Sequence, residues 1–452
     1  MTPIPEFKAE DLARWSGGAW KGAPPVVLRG VVHDSRCVTP GSMYVALKGG
    51  RCDGHEFVPD AFRHGAAAAL VSGDYRPAPT PRRGESGPLL KVADPLSAIR
   101  DLAAGYRRQW SGTVFGITGS VGKTTVKEML ASMLAVRGEV FRSPGNWNNH
   151  IGLPMSMLKC PSDGPAAVFE LGMNRPGEIR MLSRTLRPDA ALLTRIGPVH
   201  MAHFNSVEDI AEEKASLLAE LAEGGWALLD ADSRWFRRFR SLLRGRCVTW
   251  AERADADYRV RVGEGGITVN GHDFKIPVPG LHTAGNAARA AAAALEQGID
   301  PHDIAEALAR YRTAPMRWEM TDRGGVRLIN DAYNANPVSM RAALSTLAGM
   351  ADGGRCWAVL GGMSELGDME GEQHRAIAEV AAELPLAEVI TVGARARMIH
   401  DAGPGHWVHA DTPEEAARLL CERVAPGDCV LFKGSRSERL ETVLDRYRTL
   451  TE

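Results

Sequence analysis

Residues 116–125 read Gly116-Ile-Thr-Gly-Ser-Val-Gly-Lys-Thr-Thr125 and lie between an apolar run and a helical pattern. Thr113 to Ile117 reads as a short buried strand. After Thr125 the apolar residues Val126, Met129, Leu130, Met133 and Leu134 recur at helical spacing, and Gly138 offers a stop. A strand, a glycine loop and a helix start together make a phosphate cradle. Glycines let backbone N–H groups close around phosphate oxygens, and the helix N-terminus adds positive potential. Lys123 supplies a point charge and Thr124 can hold Mg²⁺. In the common form G-x-x-x-x-G-K-[ST] a glycine would stand at 117; here that residue is Ile, and the glycines fall at 116, 119 and 122. Gly119, Ser120, Val121, Gly122, Lys123, Thr124 and Thr125 are therefore the expected nucleotide-contacting residues.

Working outward, the chain has 452 residues, enough for two to four domains with proper cores. Its 44% hydrophobic and 24% charged residues are those of an ordinary globular protein. A net charge of −1 leaves no basic footprint for nucleic acid. No apolar run is long enough to span a bilayer, and Met1-Thr-Pro-Ile-Pro-Glu-Phe-Lys8 lacks a secretory pattern. Seven cysteines are scattered without a C-x-x-C pair, which favours free thiols in a reducing cytoplasm.

The segment Gly73 to Pro88, rich in Pro and Gly, reads as a surface loop between strands Ala67–Val71 and Leu89–Val92. From about 112 onward the pattern alternates. Ala166–Leu171, Ala191–Ile196 and Trp226–Leu229 are short apolar runs with helical stretches between them, as in a parallel sheet covered on both faces. Between Tyr258 and Val278 the period becomes two, with an Asn270-Gly271 turn, so an inserted hairpin or small antiparallel unit is expected. Helices follow at Asn286–Gln297 and Pro301–Tyr311, and Thr313-Ala-Pro-Met-Arg317 breaks the pattern. Strands at Val326–Asn330, Cys356–Leu360, Val389–Val392 and Cys429–Phe432 then alternate with helices. The expected fold class is α/β in three domains, 1–111, 112–315 and 316–452.

Glu170 ends a strand on the edge where open parallel sheets bind ligands, in position to approach Mg²⁺. A solvated carboxylate at a strand end is the competing reading. His200 follows a Gly-Pro turn after the next strand, with His203 close by. Lys214 falls on the apolar face of a helix expected over Val207–Ala222, in line with Ile210, Leu217 and Leu218. Its spacing favours an ammonium that snorkels to the surface. The alternative is a buried amine, neutral and open to modification. Asn146, Asn148 and Asn149 crowd amides between Gly145 and Gly152, suited to a polar substrate or to a turn. Asp331-Ala-Tyr333-Asn334-Ala-Asn336-Pro337 and Lys433-Gly-Ser435-Arg436 close two strands of the last domain. Arg317 reaches nucleotide phosphate only if that domain folds over the central one.

Together these residues resemble the Mur ligase family, and the resemblance spans nearly the whole chain. Asp34-Ser-Arg36, Tyr44-Val-Ala-Leu-Lys48 and Asp53-Gly-His55 look like its uridine-nucleotide domain, implying substrate contacts at Ser35, Arg36, Lys48, Asp53 and His55. Ile-Thr-Gly-Ser-x-Gly-Lys-Thr-Thr is the family's own form of the phosphate loop. Gly-Asn-x-Asn-Asn-x-Ile-Gly-x-Pro at 145–154, Asp331–Pro337 and Lys433–Arg436 are similar to the branch that adds D-alanyl-D-alanine. That branch implies substrate contacts at Asn146, Asn149, Tyr333, Asn334, Asn336, Lys433, Ser435 and Arg436. The family implies Thr124, Glu170 and His200 as ligands of two Mg²⁺ ions, directly or through water. It implies a carbamylated Lys214 completing the second ion, which raises the modified-amine reading above snorkelling. Lys123, His200 and Lys214 become the expected catalytic groups. Asn286 is expected beside adenine, Arg317 at phosphate and Asp331 at ribose. One departure stands out: where the family often has Lys-x-Glu, this chain has Lys214-Ala-Ser216.

The resemblance implies a small α/β uridine-nucleotide domain, a central phosphate-loop ATPase domain and a Rossmann-like C-terminal domain. It implies ATP-driven amide ligation through an acyl phosphate in peptidoglycan synthesis, by a monomer in the cytoplasm. The substrates would be a UDP-N-acetylmuramoyl-tripeptide and D-alanyl-D-alanine. A branch adding the third peptide residue would carry Asp-x-Pro-Arg, whereas Gly361-Gly-Met-Ser-Glu365-Leu-Gly367-Asp368 stands in that region. Folate polyglutamate ligases share the loop but lack the uridine domain. A GTP-switched binding protein would need a [NT]-Lys-x-Asp motif, which the chain does not contain.

Overall fold

The computed structural model describes residues 3–50, 52–77, 82–263, 265–350 and 354–451. Residues 78–81 of the proline-rich loop, and Met1 and Thr2 of the N-terminal stretch, lie outside the described residues. Among the described residues the strands form four sheets. A five-stranded sheet runs in the order Ala19–Lys21, Leu89–Val92, Ala68–Ser72, Met43–Val45 and Val31–Val32, beside a two-stranded ribbon of Glu6–Lys8 and Val27–Arg29. A six-stranded sheet near the C-terminus runs Glu319–Arg323, Val326–Asn330, Cys429–Lys433, Cys356–Gly361, Glu388–Val392 and Val408–Ala410. Its first pair is antiparallel and the rest are parallel.

Between them lies the sheet that carries the phosphate loop. Its central strands run Arg246–Ala251, Trp226–Asp230, Ala190–Leu193, Thr113–Thr118, Ala166–Glu170 and Phe141–Arg142, all parallel. The stretch expected to form a hairpin or small antiparallel unit does so, and it also extends this sheet. Tyr258–Gly263 pairs in parallel with Arg246–Ala251, and Gly266–Val269 and His272–Lys275 continue antiparallel, the last two joined at Asn270-Gly271. The strand Arg246–Ala251, not read from the sequence, makes that continuity possible.

Side chains of the phosphate-loop strand alternate between two cores. Phe115 and Ile117 face the helices Lys123–Leu134 and Leu281–Glu296, in a cluster that runs on to Ile329, Met340 and Leu360 of the C-terminal sheet and its helices. Val114 faces the opposite way, in a cluster that reaches Phe7 and Leu28 of the ribbon, Leu70 of the first sheet and Ile99 of the helix Pro95–Arg107. Each face of the central sheet thus shares its core with one flanking unit. The alanine-rich helix Leu281–Glu296 suits this role, because small side chains let it approach the loop helix closely. The helix that carries Lys214 is shorter than expected, Val207–Ala215, and continues as a 3₁₀ turn over Ser216–Glu220. Ser216 is the reason given by the geometry: its hydroxyl donates to the Glu213 carbonyl at 2.6 Å, competing with the helical pattern.

Gly105, in the last turn of helix Pro95–Arg107, faces the Trp15 indole of helix Ala9–Ser16, and a Cβ there would overlap the ring. Helix propensity alone would favour Gly105→Ala by about 1 kcal/mol. The overlap should reverse that sign and destabilise the protein by about 1–3 kcal/mol. A thermal melt checks this, and a raised Tm would contradict the close helix packing.

Candidate active site

The chemistry-bearing residues collect at the carboxyl edge of the central sheet, where the phosphate loop leaves its strand. Gly119 and Gly122 both take positive φ, 153° and 90°. A Cβ on the first would overlap Thr194, and on the second the Asn286 amide, so this loop conformation requires glycine at both positions. Gly116 serves differently. It stays in the strand, where a Cβ would press on Pro188 and Leu217 at 3.1–3.3 Å. Ser120 and Val121 hydrogen-bond through their N–H groups to the Arg195 carbonyl, and the Ser120 hydroxyl donates to the Gly197 carbonyl at 2.9 Å. The loop is therefore tied to the segment that leads to His200.

Lys123 donates to the Gly119 carbonyl at 2.9 Å, closing the loop on itself. The Thr124 hydroxyl donates to Glu170 at 2.6 Å, and the Asn148 amide donates to the other Glu170 oxygen at 2.8 Å. Glu170 is 3% exposed. Burial pushes its pKa upward, but Lys123, Arg317 and the Thr124 hydrogen bond outweigh burial and hold it below the ordinary glutamate value. Burial draws Lys123 below the ordinary lysine value, resisted by Glu170. Nothing in the amide block itself distinguishes Asn148 from Asn146 and Asn149, and only its reach to Glu170 does so.

A cavity of about 430 Å³ opens here, lined by Ser120 to Thr125, Asn146, Asn149, Glu170, His200 and Asn286 from the central sheet. Arg317, Asp331, Tyr333, Asn334, Asn336 and Lys433 line it from the C-terminal side. The cavity thus lies between two lobes. Arg317 is held over the Tyr333 ring, its guanidinium carbon 4.0 Å from the centroid. Its neighbours Met316 and Trp318 both take left-handed φ, 59° and 58°, at a cost of roughly 1–2 kcal/mol each. Hydrogen bonds from Tyr333 N–H to the Met316 carbonyl and from Trp318 N–H to Asp331 hold that kink. Lys433, 2% exposed, pairs with Asp331 at 2.6 Å and donates to the Asn334 carbonyl at 3.1 Å.

Some expected contacts are committed elsewhere. Asn149 accepts from Ile151 and Gly152 N–H at a helix start, and Asn336 caps helix Pro337–Ala348. Ser435 is buried, accepting from Ser364 N–H at 2.8 Å, and Arg436 pairs with Glu441 at 2.7 Å on the surface. Both line a smaller adjoining cavity of about 250 Å³ with Asn336 and His200. Ser35, Arg36, Lys48, Asp53 and His55 do not line the central cavity. Arg36 is exposed and forked onto Asp34, while Asp53 bonds the His55 ring at 2.6 Å and Ser72 N–H donates to that ring at 3.0 Å. The first domain meets the amide loop instead through His33, whose ring contacts Trp147 at 5.7 Å.

Lys214 is 1% exposed, and among the described residues its side-chain amine forms no hydrogen bond or ion pair. The snorkelling expectation is therefore corrected: the helix turns into its 3₁₀ continuation and the side chain stays inside. Burial pulls its pKa well below that of an ordinary lysine, and the Lys123 charge adds to the effect. His200, with φ 56°, bonds Glu365 of the C-terminal side through Nδ1 at 2.5 Å. That bond holds the Glu365 carboxyl below its usual range. Sequence reasoning misses Glu365 because its partner lies 165 residues away.

Among the described residues no group of three or more His, Cys, Asp or Glu is placed to hold a metal. The donors present suit a hard cation that keeps waters and shares phosphate oxygens, namely the hydroxyl of Thr124 and the buried carboxylate of Glu170. No helix of the described residues is long and apolar enough to cross a membrane, and no disulfide joins any of the seven cysteines.

Residues 117–294 match the Mur ligase middle domain, 316–436 the Mur ligase glutamate ligase domain, and 27–107 the Mur ligase family catalytic domain. The UDP-N-acetylmuramoyl-tripeptide–D-alanyl-D-alanine ligase of Bacillus subtilis is 36% identical over 92% of this chain and 93% of its own. Its Escherichia coli namesake is 35% identical over 94% and 95%. The crystal structure of MurF from Acinetobacter baumannii superposes with a TM-score of 0.89 at 29% identity, covering 99% of this chain and all of that one. MurF from Thermotoga maritima in complex with ADP gives 0.81 at 29% identity over 93% and 97%. With the loop, the buried carboxylate and the two-lobed cavity in agreement, the chain belongs to the Mur ligase family.

Proposed function

We propose that this chain joins D-alanyl-D-alanine to UDP-N-acetylmuramoyl-tripeptide at the expense of ATP, completing the pentapeptide precursor of peptidoglycan. The observation that carries the reading is one cavity shared by the phosphate loop and Glu170 on one side and Arg317, Asp331 and Lys433 on the other. Ligases of this name in Bacillus subtilis and Escherichia coli match the chain over more than nine-tenths of its length.

ATP lies with its phosphates against the loop amides. Lys123 leaves the Gly119 carbonyl to take a phosphoryl oxygen, and Arg317 approaches from the other lobe. Asn286 faces the adenine and Asp331 the ribose. Thr124, Glu170 and His200 are the groups that would hold Mg²⁺, which when bound neutralises charge on the phosphate oxygens. The terminal carboxylate of the tripeptide attacks the γ-phosphorus; the bond to ADP breaks and an acyl phosphate forms. The free amine of D-alanyl-D-alanine then attacks the activated carbonyl, loses a proton and expels phosphate, leaving an amide. Tyr333, Asn334, Lys433 and the turn at Ser435-Arg436 present the dipeptide, and the first domain with Asn146 and Asn149 holds the uridine nucleotide. Domain borders near 111 and 315, a monomeric chain and a cytoplasmic location complete the reading.

Lys214 fits modification by carbon dioxide. Its amine forms an N–C bond to CO₂ and releases one proton, giving a carbamate within the field of the Lys123 charge. Ser216 has no carboxylate to offer the site, and its hydroxyl is engaged with the Glu213 carbonyl.

ADP release should require ATP, the UDP-tripeptide and D-alanyl-D-alanine together in sustained turnover. Equal steady-state ADP release without the dipeptide would overturn the ligase assignment. Lys123→Ala should lower kcat on the order of 10²–10³-fold, as for loss of one group that stabilises transition-state charge. Lys214→Met, close in volume, should abolish most ligation with little change in thermal stability. Short carboxylic acids should restore part of the activity, and ¹³CO₂ should label the wild type but not the variant. Full activity in Lys214→Met would remove the carbamate from the mechanism.

A further inference from the structure

The loop Gly361–Asp368 leaves a central strand of the C-terminal sheet and meets the opposite lobe around His200 and Ala202. There Glu365 meets the His200 ring through Nδ1 at 2.5 Å, and the Ala202 N–H donates to the Glu365 carbonyl at 3.3 Å. Both partners sit in left-handed backbone, His200 at φ 56° and Glu365 at φ 64°. For side chains of this size that conformation is unusual, and the surroundings must impose it.

On its own lobe the loop is held firmly. Met363 N–H donates to the His374 ring at 2.9 Å, and Ser364 N–H to the Ser435 hydroxyl at 2.8 Å. Leu366 is 2% exposed, so Glu365 is carried on a segment anchored on both sides. Gly367, at φ 57°, lets the loop approach Ala202, where a Cβ would lie 3.2 Å from the Ala202 Cα. Across the gap, Glu365 is the one side chain among the described residues that hydrogen-bonds the His200 ring.

We infer that Glu365 is a positioning residue through which the C-terminal lobe orients His200 as the lobes close. An ionised carboxylate accepts from Nδ1–H, which fixes the tautomer and leaves Nε2 as the ring's lone-pair atom. Imidazoles that bind metals commonly have such a carboxylate partner on their other nitrogen. Here that partner belongs to a different lobe, so His200 is set only when the lobe carrying Arg317, Asp331 and Lys433 is in place. The arrangement couples metal and nucleotide binding to closure of the two lobes. This inference rests on the ligase reading of the cleft.

Calorimetric binding of a non-hydrolysable ATP analogue, titrated against Mg²⁺, tests it without turnover. Glu365→Ala should weaken Mg²⁺-dependent nucleotide binding by about 10–100-fold, the range for losing a carboxylate behind a metal-bound histidine. Glu365→Gln, which can still accept from Nδ1–H at the same strained position, should recover most of that loss. In the His200→Ala background Glu365→Ala should cost nothing further, because the two act through one contact. Small-angle scattering of the nucleotide-bound protein should show Glu365→Ala more extended than wild type. Binding within twofold of wild type in Glu365→Ala, or additive losses in the double variant, would overturn the inference. Failure of the wild type to ligate would instead remove the ligase reading, with the binding cycle still interpretable.

Discussion

A negative charge placed almost out of reach of water must be compensated by its neighbours, and at Glu170 this requirement organises the whole site. The compensating groups come from separate parts of the chain. Thr124 and Lys123 arrive on the phosphate loop, Asn148 on the amide loop, and Arg317 on the kinked segment entering the C-terminal lobe. Removing one partner of a buried charge costs about 3–5 kcal/mol in comparable settings. The carboxylate therefore fixes where three segments must converge.

The two-sided core extends this logic to whole lobes. Phe115 and Val114 are neighbours in sequence, yet one belongs to the core shared with the C-terminal sheet and the other to the core shared with the first. A strand alternates its side chains by geometry, so the flanking units are forced onto opposite faces. The phosphate loop at the strand's end then lies within reach of both. Arg317 and Lys433 come from one side, and the loop around Trp147 meets His33 from the other.

Much of this was legible in the sequence where a single local rule decided the outcome. The phosphate-loop strand, the turn at Asn270-Gly271 and the helix that starts at Pro301 follow from periodicity and glycine placement, whereas the alanine-rich helix begins at Leu281, ahead of the Asn286 start its spacing suggested. What escaped depends on partners distant in the chain. Arg246–Ala251 begins with exposed and half-buried residues, and its identity as a strand comes from the two strands beside it. The helix around Lys214 continues its apolar period past Ala215, while the backbone departs because a serine hydroxyl takes a carbonyl. The same spacing placed Lys214 on the buried face correctly but could not say that its ammonium stays inside. In the first domain, motif resemblance marked Asp53 and His55, and the structure shows them bonded to one another. Glu365 has no local signature at all.

Two asparagines of the cleft complicate how its surface will respond to mutagenesis. Asn149 and Asn336 both line the cavity, yet each spends its side-chain oxygen on the free N–H groups of a helix start. An alanine scan would record damage at these positions even if no ligand ever touched them. Aspartate or serine, which keep the acceptor, separate the two contributions: affinity lost with the helix intact belongs to the ligand, and affinity lost together with stability belongs to the scaffold. At both positions the amide oxygen belongs to the framework, so only the amide nitrogen is left to meet anything that enters the cleft.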